Sequence, residues 1–273
     1  MNHGHRRLPD YHALMPFVTA PDGVRLHYEL EGSGPPLLLH LGAGCDCELW
    51  RAAGYVEPLA KKYQCILFDH RGHGTSDRPR DVAANHIDRF VDDVGALLDH
   101  LHLNSVHFWG WSNAMFVACA AAERFPGRVR SLILSGAVGR PVDAMALKAA
   151  TEERIRNLQE EGWDWLINAF AADEGECPVW MRDRIRATDL EQFILWQRAR
   201  LDWEVTPWDL VVNAKPPSLL LVGDLEDDGH LMTEVAAQMT EATEIRFEGL
   251  GHINAFLASD QMLPHVQAFL ATK

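Results

Sequence analysis

Along the chain, short unbroken apolar runs alternate with longer segments whose apolar positions recur every three or four residues. The runs are Leu37–Leu41, Cys65–Phe68, Val106–Trp109, Val129–Leu134 and Leu219–Val222, with a further extended run at Glu244–Phe247. Unbroken apolar character predicts strands covered on both faces, as in a parallel sheet. Helical spacing is clearest over Asp88–Leu101, where Val91, Val94, Leu97, Leu98 and Leu101 fall on one face. Ala114–Arg124 is apolar nearly all round and predicts a central buried helix, and His230–Met239 and Asn254–Leu270 predict two more. Phe17–Ala20 and Val24–Leu30 flank Pro21-Asp22-Gly23 and predict a hairpin turning at Asp22-Gly23. The alternation as a whole predicts an α/β fold with a mostly parallel, doubly wound sheet and an N-terminal hairpin.

One stretch breaks this alternation. From Arg140 to Asn213, 74 residues show four helical patterns and no strand, and they hold six of the nine tryptophans: Trp163, Trp165, Trp180, Trp196, Trp203 and Trp208. An insertion between two core strands is expected, with a core over 1–139 and 213–273 and a helical lid over 140–212. Ala214-Lys215-Pro216-Pro217 marks the return to the core. No repeat or low-complexity segment is visible.

Composition narrows the function classes. A length of 273 residues with 47% hydrophobic and 23% charged residues excludes a disordered tail, a fibrous rod and a small disulfide scaffold. The net charge of −14 disfavours a nucleic-acid partner. The longest apolar stretch in a helical pattern, Ala114–Ala122, is far short of a membrane span. The opening MNHGHRRLPDYHALMPF lacks the apolar segment of a secretory leader. Five cysteines, an odd number without paired spacing, fit a reducing cytoplasm. Cys45 and Cys47 read as packing, and His100 and His102 face different sides of a helix end, so no metal site is expected with His107. No nucleotide-binding glycine loop occurs, and no cofactor is expected.

The chemistry-bearing residues lie at the ends of the expected strands. Gly110-Trp111-Ser112-Asn113-Ala114 joins the run Val106–Trp109 to the Ala-rich helix. A serine on so sharp a turn projects its hydroxyl, and small residues two positions either side give it room. A plain helix N-cap is the competing reading. Gly249-Leu250-Gly251-His252 follows the last extended run, and a histidine in that loop can serve as a general base for a serine. The loop after Leu219–Val222 holds Asp224, Glu226, Asp227 and Asp228, any of which could orient the imidazole. His40-Leu41-Gly42-Ala43-Gly44 is a glycine-rich turn able to aim a backbone N–H at a developing oxyanion, with the Asn113 N–H as the second donor.

With these motifs and Asp69-His70-Arg71-Gly72-His73-Gly74-Thr75-Ser76, the chain resembles the α/β-hydrolase superfamily over essentially its whole length. The resemblance implies Ser112 as nucleophile, His252 as base and Glu226 as acid, with Asp227 as the alternative. It implies an oxyanion hole from Gly42 and Asn113, with Leu41 as the alternative because it stands where glycine is usual. The 69–76 loop is structural in that family, and the insertion corresponds to its cap. A Trp-rich cap points to a small apolar or aromatic substrate, with Trp111, His40, Trp163 and Trp196 as expected pocket residues. The insertion's 15 acids against 9 bases weigh against a strongly anionic one.

The expected activity is hydrolysis of a small or medium apolar carboxylic ester or lactone through an acyl-enzyme, by a monomer or homodimer. The rivals are C–C or amide hydrolysis or cofactor-free perhydrolysis at the same residues. A rival of another class is a non-catalytic ligand-binding protein on the same scaffold.

Overall fold

The computed structural model describes residues 16–42, 44–139, 143–174 and 177–273. The leader reading over the first residues, Ala43 of the glycine-rich turn and the expected core–lid boundary at 140 lie outside the described residues. In chain order the elements are β1 Phe17–Thr19, β2 Arg25–Glu31, β3 Pro36–His40, α1 Glu48–Ala52, α2 Val56–Ala60, β4 Gln64–Phe68, α3 Ile87–His100, β5 Val106–Trp111, α4 Ala114–Arg124 and β6 Val129–Ser135. There follow α5 Ala144–Glu161, α6 Trp163–Glu174, α7 Val179–Arg186, α8 Leu190–Ala199, α9 Pro207–Val212, β7 Ser218–Gly223, α10 Met232–Gln238, β8 Ala242–Phe247, α11 His252–Leu257 and α12 Ser259–Leu270.

The strands form one sheet in the order β1-β2-β4-β3-β5-β6-β7-β8. β1–β2 and β2–β4 are antiparallel and every other pair is parallel. The hairpin pairs Phe17 with His27 and Thr19 with Arg25, as the Asp22-Gly23 turn requires. All six residues of β5 and of β7 are buried, which is why their sequences run apolar without alternation. α3 lays Phe90, Val91, Val94, Leu97 and Leu98 on the sheet, and α4 is buried along most of its length. No helix among the described residues is long and apolar enough to cross a membrane.

Three expectations need correction. Among the described residues, five α-helices, not four, lie between β6 and β7, because short α7 and α9 break the stretch more finely. Asp143, Asp189 and Thr206 cap α5, α8 and α9 through their side chains. The final helix divides at Ala258 into α11 and α12. There the Tyr55 hydroxyl donates to the Phe256 carbonyl at 2.8 Å, taking an acceptor that an unbroken helix would use. His252 is the first residue of α11 rather than part of a loop.

The 69–76 loop is tied down from both ends. Asp69 accepts from the Cys47 N–H at 2.7 Å and the Thr75 N–H at 3.2 Å, and lies 2.9 Å from His27 Nδ1. A Cβ on Gly74 would fall 1.9 Å from that carboxylate, so only glycine fits. The Arg71 side chain, fully buried, donates to Asp93 at 2.7 and 2.5 Å, to Asp22 at 2.8 Å and to the Ala84 carbonyl at 2.8 Å. This anchoring packs His70 against His73, 3.8 Å between ring centroids, and against His40, 5.0 Å. Burial holds all three imidazoles neutral, His40 down at about 3, His73 at about 4 and His70 well below its usual value.

Removing Asp93 leaves the buried Arg71 guanidinium with only the more exposed Asp22 as its carboxylate. Asp93→Ala is expected to destabilise the fold by about 3 kcal/mol in urea unfolding, whereas the double change Arg71→Met/Asp93→Leu recovers most of that loss. The imidazoles generate a second expectation. An unfolded chain protonates each below about pH 6.5, whereas the folded protein resists to about pH 4 or lower at His40, His73 and the buried His107. The unfolded state therefore gains protons first, and stability falls as pH drops through that window, by up to about 1.4 kcal/mol per unit for each imidazole. Asp93, pushed up to about 6 by burial, works the other way but is one group against several. The urea midpoint should fall from pH 7 to pH 5, and His70→Phe should flatten the slope; a pH-independent midpoint would contradict this.

Candidate active site

The carboxyl ends of four parallel strands converge on one cavity, as open α/β sheets arrange their sites. β5 delivers Ser112, β3 delivers Leu41 and Gly42, β7 leads to Glu226, and β8 leads to His252. Ser112 holds φ +58°, in the left-handed region that non-glycine residues avoid. Its N–H donates to the Ser135 carbonyl at 2.8 Å. A Cβ on Gly110 would come 2.7 Å from the Ala114 carbonyl oxygen, so the strand can turn into the helix this tightly only with glycine there. Gly42 is pressed onto the same turn from β3: a Cβ on it would lie 2.9 Å from both the Asn113 nitrogen and the Ser112 Cβ. Among the described residues, neither the Gly42 nor the Asn113 N–H has an acceptor.

His252 Nδ1 lies 2.8 Å from Glu226 Oε2. The same oxygen accepts from the Ala137 N–H at 3.0 Å, and Oε1 accepts from the Gly223 N–H at 3.0 Å. Glu226 is thus fully engaged and only 7% exposed, while Asp227 is exposed. Asp224 turns away to accept from the Gly249 N–H at 2.7 Å. Gly136, at φ +109°, roofs the pair; a Cβ there would sit 3.0 Å from His252 Cε1.

The cavity has an empty volume of about 730 Å³ and is lined by Ser112, Asn113, Leu41, Gly42, Trp111 and His252 from the core. Leu166, Ile167, Met181, Ile185, Phe193 and Arg154 line it from the inserted helices. Cys45 is also on the wall, its thiol pushed up to about 12 by burial and so kept protonated. Arg184 pairs with Asp46 beside it.

A smaller cavity of about 270 Å³ adjoins the first through Leu41, Gly42, Asn113 and Phe193. His40, His70, His73 and Trp196 line it. Both ring nitrogens of His40 and Nδ1 of His70 are buried without a hydrogen-bond partner. These histidines come from two distant motifs, and nothing in the spacing of either points to their meeting.

The expected pocket residues therefore divide. Trp111 is on the wall of the large cavity, and its ring packs on Phe256 at 4.8 Å. His40 and Trp196 belong to the smaller one. Trp163 is a correction: it is on the wall of neither cavity, its ring stacking on Phe193 at 5.1 Å and its Nε1 donating to the Thr188 carbonyl at 3.1 Å. Trp208 is buried and Trp180 is 45% exposed. Among the described residues, the insertion meets the large cavity with apolar side chains, one of them a phenylalanine, and with Arg154, rather than with tryptophan.

His100 and His107 go to separate partners, the Tyr28 hydroxyl at 3.0 Å and the Ser131 hydroxyl at 2.8 Å. One set of possible metal-ligand atoms, on His27, Cys47 and Asp69, lies within 4.8 Å among the described residues. Both Asp69 oxygens there are already engaged by the hydrogen bonds that hold the 69–76 loop.

The comparison with known proteins agrees with this architecture. The chain is 27% identical to a cis-3-alkyl-4-alkyloxetan-2-one decarboxylase of Shewanella oneidensis, over 94% of this chain and 89% of that protein. A thermophilic esterase from Thermogutta terrifontis superposes with a TM-score of 0.80 at 22% identity, covering 95% of this chain and 99% of that one. The enol-lactonase from Burkholderia xenovorans superposes with a TM-score of 0.75 at 22% identity, covering 94% and 100%. Residues 35–177, more than half of the chain, match the model of the alpha/beta hydrolase fold family, and the chain belongs to that family.

Proposed function

We propose that this enzyme is a serine hydrolase acting on a small or medium carboxylic ester or lactone through an acyl-enzyme, with residues 140–212 as its cap. The observation that carries the reading is His252, held at Nδ1 by the buried Glu226 carboxylate, on the same cavity as Ser112 and two N–H groups that have no acceptor among the described residues. In this reading His252 takes the Ser112 proton as the hydroxyl attacks the carbonyl. Glu226 holds the imidazole by Nδ1, so that the other ring nitrogen faces the serine, and stabilises the cation that forms. The N–H of Asn113, with one from Leu41–Gly42, receives the developing oxyanion. Protonated His252 then delivers its proton to the leaving alkoxide, and water attacks the acyl-enzyme by the reverse route.

The names of the similar proteins support an ester carbonyl as the reacting group. An oxetan-2-one is itself a cyclic ester, and two fold neighbours are named esterase and enol-lactonase.

On a panel of p-nitrophenyl esters, Ser112→Ala is expected to lower kcat by at least about a thousandfold and Glu226→Gln by about a hundredfold or more. Asp227→Asn should stay within about twofold of wild type. Equal, slow hydrolysis by wild type and Ser112→Ala would end the serine-hydrolase reading, and loss of activity only in Asp227→Asn would reassign the acid. Gly42→Ala displaces the Asn113 amide by its added methyl, so kcat should fall about tenfold to a hundredfold with a smaller change in KM.

A further inference from the structure

The large cavity contains one charged group that the mechanism does not use. Arg154, on α5, lines the wall opposite the core residues, alongside Leu166, Ile167 and Phe193. α5 packs on α8 and on the turn after it, which carries Arg200. Neither arginine has an ion pair or a side-chain hydrogen bond among the described residues. This sets them apart from the fully buried Arg71, which has two carboxylates, and from Arg184 and Arg186, which pair with Asp46 and Asp164.

Arg200 lies over the rings of Trp196, Trp203 and Phe116, 5.2, 5.4 and 5.9 Å from their centroids, and its buried Nε has no acceptor. Burial lowers Arg154, and burial together with repulsion from Arg154 lowers Arg200 to about 9. Two neighbouring, partly buried cations without an anion are costly to keep. Aromatic faces compensate Arg200 in part, while Arg154 faces open cavity. A guanidinium in a mostly apolar pocket is suited to take a carboxylate on its two parallel N–H groups.

We propose that Arg154 is the docking point for a free carboxylate on the substrate, with Arg200 behind it reinforcing the positive potential. Resting on the serine-hydrolase reading, this narrows the substrate to an ester or lactone that also carries an acid group, its scissile carbonyl at Ser112 and its carboxylate at the insertion. The acid excess of the insertion does not oppose this. Glu152, Glu153, Glu160 and Glu161 lie on the exposed face of α5, so the segment's mean charge has a different sign from its contribution to the cavity.

The test compares mono-p-nitrophenyl adipate with p-nitrophenyl hexanoate, two substrates with the same leaving group and similar chains. Wild type is expected to favour the anionic ester by about tenfold or more in kcat/KM, chiefly through KM. Arg154→Met should lower that preference by at least about tenfold, and Arg154→Lys should restore part of it. A preference that is absent in wild type, or unchanged in Arg154→Met, overturns the proposal. Calorimetric titration of Ser112→Ala with adipate and with neutral adipamide separates this from the hydrolase reading. If no ester is turned over in a Ser112-dependent way but adipate binds and adding Arg154→Met abolishes it, the anion site stands and the hydrolase reading falls. If adipate binds no better than adipamide, the anion site falls whatever the esterase activity.

Discussion

Ser112 is held in a left-handed backbone conformation where a buried strand becomes a buried helix. That conformation costs a non-glycine residue roughly 1–2 kcal/mol, and the surroundings enforce it. β6 takes the Ser112 N–H, Gly110 lets the helix close over the strand end, and Gly42 presses in from β3 at a distance no side chain would tolerate. The rest of the site is measured from this turn. The two N–H groups without an acceptor among the described residues flank it, and the loops after β7 and β8 bring His252 to the same cavity with Glu226 holding it from behind. Strain at one residue is sustained by the three central strands of the sheet, which is the usual condition for strain at a working site.

Charge around the turn is sorted by partner. Glu226 has every oxygen engaged by an N–H. The His40, His70 and His73 rings are kept neutral by burial, so they add polarity to the adjoining cavity without adding charge. Among the described residues, Arg154 alone presents a charge without an ion pair to the main cavity. One face of the pocket thus carries the His252–Glu226 pair and another offers a positive group, an asymmetry that, under the proposed function, favours a ligand with one polar end at each side.

The strands were legible because full burial leaves an unbroken apolar run, and Ser112, Gly42 and His252 were legible because glycine spacing marks tight turns locally. The choice between Glu226 and Asp227 rested on family spacing alone. In space it rests on burial, since the Gly223 and Ala137 amides and His252 surround one and leave the other in solvent. Trp163 was misplaced because aromatic content says nothing about which ring faces a cavity and which packs on another. Arg154 was invisible for a related reason: a basic residue in an acid-rich segment reads as paired until its neighbours are known. The histidine cluster joins positions from two loops, and only the packing of the 69–76 loop under β3 brings them together.

The inserted helices leave after β6 and return at β7, strands that lie side by side with Leu132 opposite Ser218. The two ends of the insertion are therefore held together by the sheet itself, and its length places almost no demand on the core. Ser112, Glu226 and His252 sit on core loops, whereas Leu166, Ile167, Met181, Phe193 and Arg154 belong to the insertion. Under the proposed function, reaction and selectivity fall to separately replaceable parts, and descent can redraw one wall of the pocket while the opposite wall stays unchanged.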